Sequence, residues 1–132
     1  MKLEITFPHP PHILSANASM PRDGGAAGRL NGAKIGAKIK TRNAACASAI
    51  NALAGIAETY FPARLLSVEW YYSRGVKPDV DGVVARLKPL LDGCAKAFGI
   101  NDRDIELGFV RRIADKAAGG TVKLIFDTEL PW

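Results

Sequence analysis

The chain has 132 residues and a mass of 14.1 kDa, with 48% apolar residues, 23% charged residues and a mean hydropathy of +0.02. Those proportions describe one compact globular domain and exclude a disordered tail or a collagen-like chain. Eighteen Lys and Arg against thirteen Asp and Glu leave a formal charge of +5 and a pI near 9.4, an excess that favours a polyanionic partner without identifying one.

No segment reaches the roughly 20 consecutive apolar residues that a bilayer span requires. The longest candidate, Asn43 to Ala57, is Ala-rich and carries Ser48 and Asn51. The start, Met1-Lys2-Leu3-Glu4, has an acid at its fourth position and lacks the apolar run of a secretory signal, so the expectation is a cytoplasmic protein with no membrane partner. Cys46 and Cys94 each sit within an apolar helical pattern. Free thiols behave there as small buried hydrophobes, and no disulfide is expected.

In chain order, Leu3, Ile5 and Phe7 alternate with Lys2, Glu4 and Thr6, the period-2 pattern of a strand with one buried face, which Pro8, Pro10 and Pro11 end. From Ser15 to Gly32 the abundance of Gly, Ala, Ser and Asn predicts a surface loop carrying Arg22 and Arg29. From Ala33 to about Ala57, Ile35, Ile39, Cys46, Ile50 and Leu53 recur as on one helix face, with Lys34, Lys38, Lys40 and Arg42 in the first turns. Leu66, Val68, Trp70 and Tyr72 alternate with their neighbours in a second strand, terminated by Gly75 and Pro78. After Asp81, Val83, Val84, Leu87, Leu91, Cys94 and Phe98 form an amphipathic stripe. Pro89 is expected to kink or divide this helix, and Gly99 to stop it. Ile105 to Ile113 and Thr121 to Leu130 read as two strands, and Gly119-Gly120 suits a hairpin between them. The order β-α-β-α-β-β predicts a single α+β domain over 1–132, with two main helices on a mixed sheet ending in an antiparallel hairpin.

Chemistry concentrates in Lys77-Pro78-Asp79-Val80-Asp81-Gly82, at a strand-to-helix junction. Two residues apart in extended chain, Asp79 and Asp81 project to one side and can converge on a cation. Asp102, in Asn101-Asp102-Arg103-Asp104, joins them if the helix returns the chain to their side. Clustered carboxylates raise one another's pKa unless a cation neutralises them, and a few hard oxygen ligands suit Mg²⁺. The same residues also serve as helix caps and turn formers; spacing alone does not separate the two readings.

Lys77-Pro78-Asp79-Val80-Asp81-Gly82-Val83-Val84, then Leu91-Asp92-Gly93, then Gly99-Ile100-Asn101-Asp102-Arg103-Asp104-Ile105 resemble the signature of the RusA family of Holliday junction resolvases. Thr6-Phe7-Pro8-His9-Pro10-Pro11, running on to Asn17, is similar to that family's opening strand and proline cluster. The resemblance implies that Asp79, Asp81 and Asp102 are catalytic, Mg²⁺-binding acids. Gly82 stands where the family has Asn, Asn101 is the first residue of its D-D pair, and its Lys falls on Ala85, leaving Arg86 and Lys88 as the nearest cations. It also implies a homodimer that cuts opposing strands of a four-way DNA junction in recombination and repair, a metal polarising the phosphate and a cation stabilising the charge that develops.

Arg22, Arg29, Lys34 and Lys38 are candidate phosphate contacts, and Arg74 and Lys77, beside the acids, are placed to hold the scissile backbone. No G-x-x-x-x-G-K-[ST] occurs, so no nucleotide cofactor is expected. His9 and His12, separated by prolines, lack metal-ligand geometry, and Trp70 reads as core before it reads as a base-stacking platform. The competing classes are a non-catalytic DNA-binding accessory domain and a nuclease of relaxed structure preference.

Overall fold

The alternation at the N-terminus becomes strand β1 (Lys2–Pro8), which buries Leu3, Ile5 and Phe7 and exposes the residues between them. The computed structural model describes residues 1–14, 24–56, 60–73, 75 and 77–132, with the backbone alone over 24–31. After a 3₁₀ turn at His12–Leu14 come helix α1 (Gly24–Leu53), strand β2 (Leu65–Tyr72), helix α2 (Val80–Phe98), a second 3₁₀ turn at Asp102–Asp104, and strands β3 (Glu106–Ala114) and β4 (Thr121–Asp127). This is the expected α+β order, with the two helices layered on a four-stranded mixed sheet.

The sheet order is β1-β4-β2-β3: β4 pairs antiparallel with both β1 and β2, and β2 pairs parallel with β3. The expected hairpin therefore does not form, because β2 lies between β3 and β4. The physical reason is hydrophobicity. Leu66, Val68 and Trp70 of β2 are almost wholly buried, which demands a central position, whereas β3 has the exposure of an edge strand. Gly119 and Gly120 carry the connection across the end of β2. The Asp115 N–H donates to the Tyr72 carbonyl and the Gly120 N–H to that of Tyr71. A β-carbon on Gly119 would stand 2.3 Å from that of Ser73, and Gly120 has φ +91°, so the pair serves a close approach and a left-handed turn.

The core lies between the helices and one sheet face. Leu66, Val68, Trp70, Val122, Leu124 and Phe126 meet Val83, Leu87, Leu90, Cys94 and Phe98 of α2 and Ala45, Ala49 and Leu53 of α1. Each large side chain buried in this way contributes roughly 1.5–3 kcal/mol. Pro89 does not divide α2, which runs unbroken through it; of the expected stripe Val84 is exposed, and Leu90, outside that stripe, is buried. Gly99 stops α2 as expected: at φ 75°, its N–H donates to the Lys96 carbonyl and that of Ile100 to Ala95, the pairing that closes a helix around a left-handed residue.

Helix α1 departs furthest from the sequence reading. It begins at Gly24, inside the stretch expected to be a loop, and it buries alanines while Ile35, Ile39 and Ile50 are exposed. Both cysteines are free, and burial pushes the Cys94 thiol up to about 12. Among the described residues no helix is long and apolar enough to cross a membrane.

Candidate nucleic-acid interface

Helices α1 and α2 cross at Gly93. A β-carbon there would meet the Arg42 carbonyl oxygen at 2.2 Å and the Ala45 β-carbon at 2.8 Å, so only small residues allow this approach. Lys34, Lys38 and Arg42 come before the crossing on α1. They line a groove of about 480 Å³ whose other walls are Leu14, Ala85, Lys88, Pro89 and Asp92. A second hollow of about 400 Å³ shares Arg42 and Asp92 with it and adds Lys96, Ile100, Asn101 and Asp102. The two form one surface, rich in cations along its length and holding two carboxylates at one end.

Those carboxylates converge on one ammonium. Lys88 Nζ lies 3.0 Å from Asp92 Oδ1 and donates a hydrogen bond to Asp102 Oδ2. That bond holds the Asp102 carboxyl below its usual range and, joined by Asp92, pushes the Lys88 ammonium up. The Asn101 side chain accepts from the Arg103 N–H at 3.1 Å and so caps the turn that presents Asp102.

Asp79 and Asp81 stand at the N-terminus of α2. Asp79 occupies the cap position with φ −70° and ψ 137°, and its backbone carbonyl accepts from the Val83 N–H, but its side chain makes no capping bond. Asp81 is exposed in the first turn, where the helix dipole favours an acid. Arg112, from the far end of β3, donates through Nη1 to the Pro78 carbonyl at 3.0 Å and fixes where this segment begins.

The parallel topology carries Asp102 away from this pair. β2 ends before Asp79, α2 runs back, and Asp102 precedes the start of β3 beside the start of β2. An eight-residue strand separates those two ends by roughly 25 Å. A returning helix thus parts the three acids instead of gathering them. Among the described residues, no group of three or more His, Cys, Asp or Glu could hold a metal ion. In this arrangement of one chain the acids do not fit a Mg²⁺ site, and Asp102 has Lys88 as its counter-charge.

Arg86 serves a different purpose. Its guanidinium donates through Nε to the Pro10 carbonyl at 2.9 Å and lies 4.8 Å from the centre of the Trp70 ring. The His9 ring stacks on Trp70 at 3.9 Å, and His9 Nε2 lies 2.9 Å from the Thr121 carbonyl oxygen. Burial lowers the pKa of both Arg86 and His9. This stack rivets the proline cluster to α2 and β2. Of the two cations nearest the family's Lys position, Lys88 is the one that meets carboxylates, and buried Trp70 offers no face to a base.

Lys34 and Lys38 line the groove, and Lys77 is exposed beside Asp79. Arg22 and Arg74 lie outside the described residues, as does the side chain of Arg29. Asp92 and Lys96 had no assigned role in the sequence reading. The i, i+4 spacing of Lys88 and Asp92 signals their pairing. Lys96 continues the basic wall. Arg112 carries no local signal, since its contact with Pro78 depends on strand order. A scan against protein-family models and searches of curated proteins and of solved structures find no match to this chain.

Proposed function

We propose that this protein is a structure-selective endonuclease of the RusA type, a cytoplasmic homodimer that binds four-way and other branched DNA and hydrolyses its phosphodiester backbone. One observation carries the reading: Lys34, Lys38, Arg42 and Lys88 line a single groove that leads to Asp92 and Asp102. Four-residue intervals set the α1 cations about 6 Å apart along the helix axis, a ladder suited to successive phosphates, whose neutralisation supplies most sequence-independent DNA affinity. Mg²⁺ is the ion that the RusA resemblance implies. Since one chain does not assemble its ligands, no step is routed through it.

The separation of Asp79 and Asp81 from Asp102 favours a second reading, a DNA-binding domain without catalysis. A single experiment separates the two. A synthetic four-way junction, a flap and a linear duplex are incubated with wild type, Asp81→Asn and Asp102→Asn, in Mg²⁺ and in EDTA. The endonuclease nicks the junction in Mg²⁺, and both variants bind it without cutting. Junction binding that survives EDTA, with no scission under any condition, establishes the second reading. Equal rates on all three substrates would make the protein a nuclease of relaxed preference.

A further inference from the structure

Helix α1 leaves an apolar stripe uncovered. Ile35, Ile39 and Ile50 are 58%, 44% and 55% exposed, and Cys46 is half-buried. At 3.6 residues per turn these four positions fall within about 60° of arc and span about 22 Å. Gly36, beside the stripe, meets nothing within 4 Å of a built β-carbon, and Ala47 is exposed as well. The surface is therefore low enough for another helix to approach closely.

The intervals between the four residues are four, seven and four, the same read in either direction. Charge along the helix is one-sided. Lys34, Lys38, Lys40 and Arg42 occupy the earlier part, Asn43 to Leu53 carries no charge, and no acid occurs anywhere from Gly24 to Leu53. Parallel, in-register pairing of two such helices would oppose like charges directly. Antiparallel pairing lays the cations beside the uncharged half, near a helix C-terminus whose last turn lacks a basic residue of its own.

We infer that this stripe is the contact surface for a second copy of the chain, paired antiparallel, so that Ile35 meets Ile50 of the other copy and Ile39 meets its Cys46. The inference rests on the dimeric part of the proposed function and gives it a location and a polarity. The two-fold axis of an antiparallel pair stands perpendicular to the plane of the helices. The grooves lined by Lys34, Lys38 and Arg42 consequently open on the same side of the assembly, within reach of one branched substrate.

The test uses the full chain. In analytical ultracentrifugation wild type sediments as a dimer, twice 14.1 kDa, and Ile39→Asp sediments as a monomer with unchanged circular dichroism. Under oxidised glutathione, Ile39→Cys forms a disulfide-linked dimer through the native Cys46 of the other copy. Wild type does not cross-link, because two Cys46 residues lie seven positions out of register, about 10 Å along the axis, beyond disulfide reach. A monomeric wild type, a dimeric Ile39→Asp, or an efficient Cys46-to-Cys46 cross-link overturns the inference. Junction cleavage by a monomer defeats this interface while leaving the nuclease reading intact, and a cross-linked dimer that never cuts DNA does the reverse.

Discussion

Gly93 of α2 and Ala45 of α1 sit so close that a β-carbon on the glycine would stand 2.8 Å from that of the alanine, with the Arg42 carbonyl closer still at 2.2 Å. Gly93→Ala gains about 1 kcal/mol of helix propensity but forces the backbones apart, and overpacking of this kind costs about 1–3 kcal/mol. A net loss of stability is expected, seen as a lower urea midpoint with an unchanged slope. A stabilised variant would show that the helices cross elsewhere.

The Lys88–Asp102 pair has a defined pH window. Asp102 titrates below its ordinary value, so its contribution is complete above about pH 4 and is lost as pH falls through the lowered value. Lys88 titrates above its ordinary value, so its contribution is complete below about pH 10 and is lost as pH rises through the raised value. Because the pair is exposed, Lys88→Met at pH 7 costs under about 1 kcal/mol. The clearer readout is carboxyl-carbon NMR, in which Asp102 of the variant titrates nearer the ordinary carboxylate range.

Lys34→Ala and Lys38→Ala should each weaken DNA binding uniformly across sequences and reduce the log–log salt slope by about 1. Fluorescence anisotropy across a salt series measures both quantities. Lys123→Ala is the control: its ammonium lies 4.0 Å from both Glu4 and Glu69 on the other sheet face, and the salt slope should not change.

His9 makes stability acid-sensitive. Burial and the neighbouring Arg86 lower its pKa, against the opposing pull of the Thr121 and Tyr71 backbone. The contribution of the neutral ring is therefore complete above about pH 6.5 and lost as pH falls through the lowered value. His9→Phe keeps a ring on Trp70 and removes the titration. Thermal melts from pH 7.5 to 5 should show a steeper decline in Tm for wild type than for the variant.

Elements whose burial follows local periodicity were legible in the sequence. In β2, Leu66, Val68 and Trp70 are buried as the alternation predicts, although Ser67 is buried with them and Tyr72 only half so, and α2 carries a stripe of large side chains. Helix α1 misled because, Leu53 apart, its large apolar residues are not its buried ones: where Gly93 draws two backbones together, alanine fits and isoleucine is displaced outward. The glycine pair at 119 and 120 resembles a hairpin turn locally, yet the buried face of β2 decides which strands are neighbours. The same limit applies at the site. Asp79, Asp81 and Asp102 were recognisable as residues, but their separation follows from the parallel crossover, and the pairing of Lys88 with Asp102 depends on how the turn after α2 folds back.

β4 joins β1 to the rest of the sheet, and each of its partners precedes it by many residues. During synthesis, β1 emerges long before its partner and waits with its pairing edge open until Thr121–Asp127 has followed. Helix α2 and β2 can dock before then, but the sheet closes only once β4 has been made, through long-range pairings that fold slowly. A stall or premature stop before Thr121 would release a nascent chain with two unsatisfied strand edges and a half-covered core, a ready substrate for chaperones and proteases.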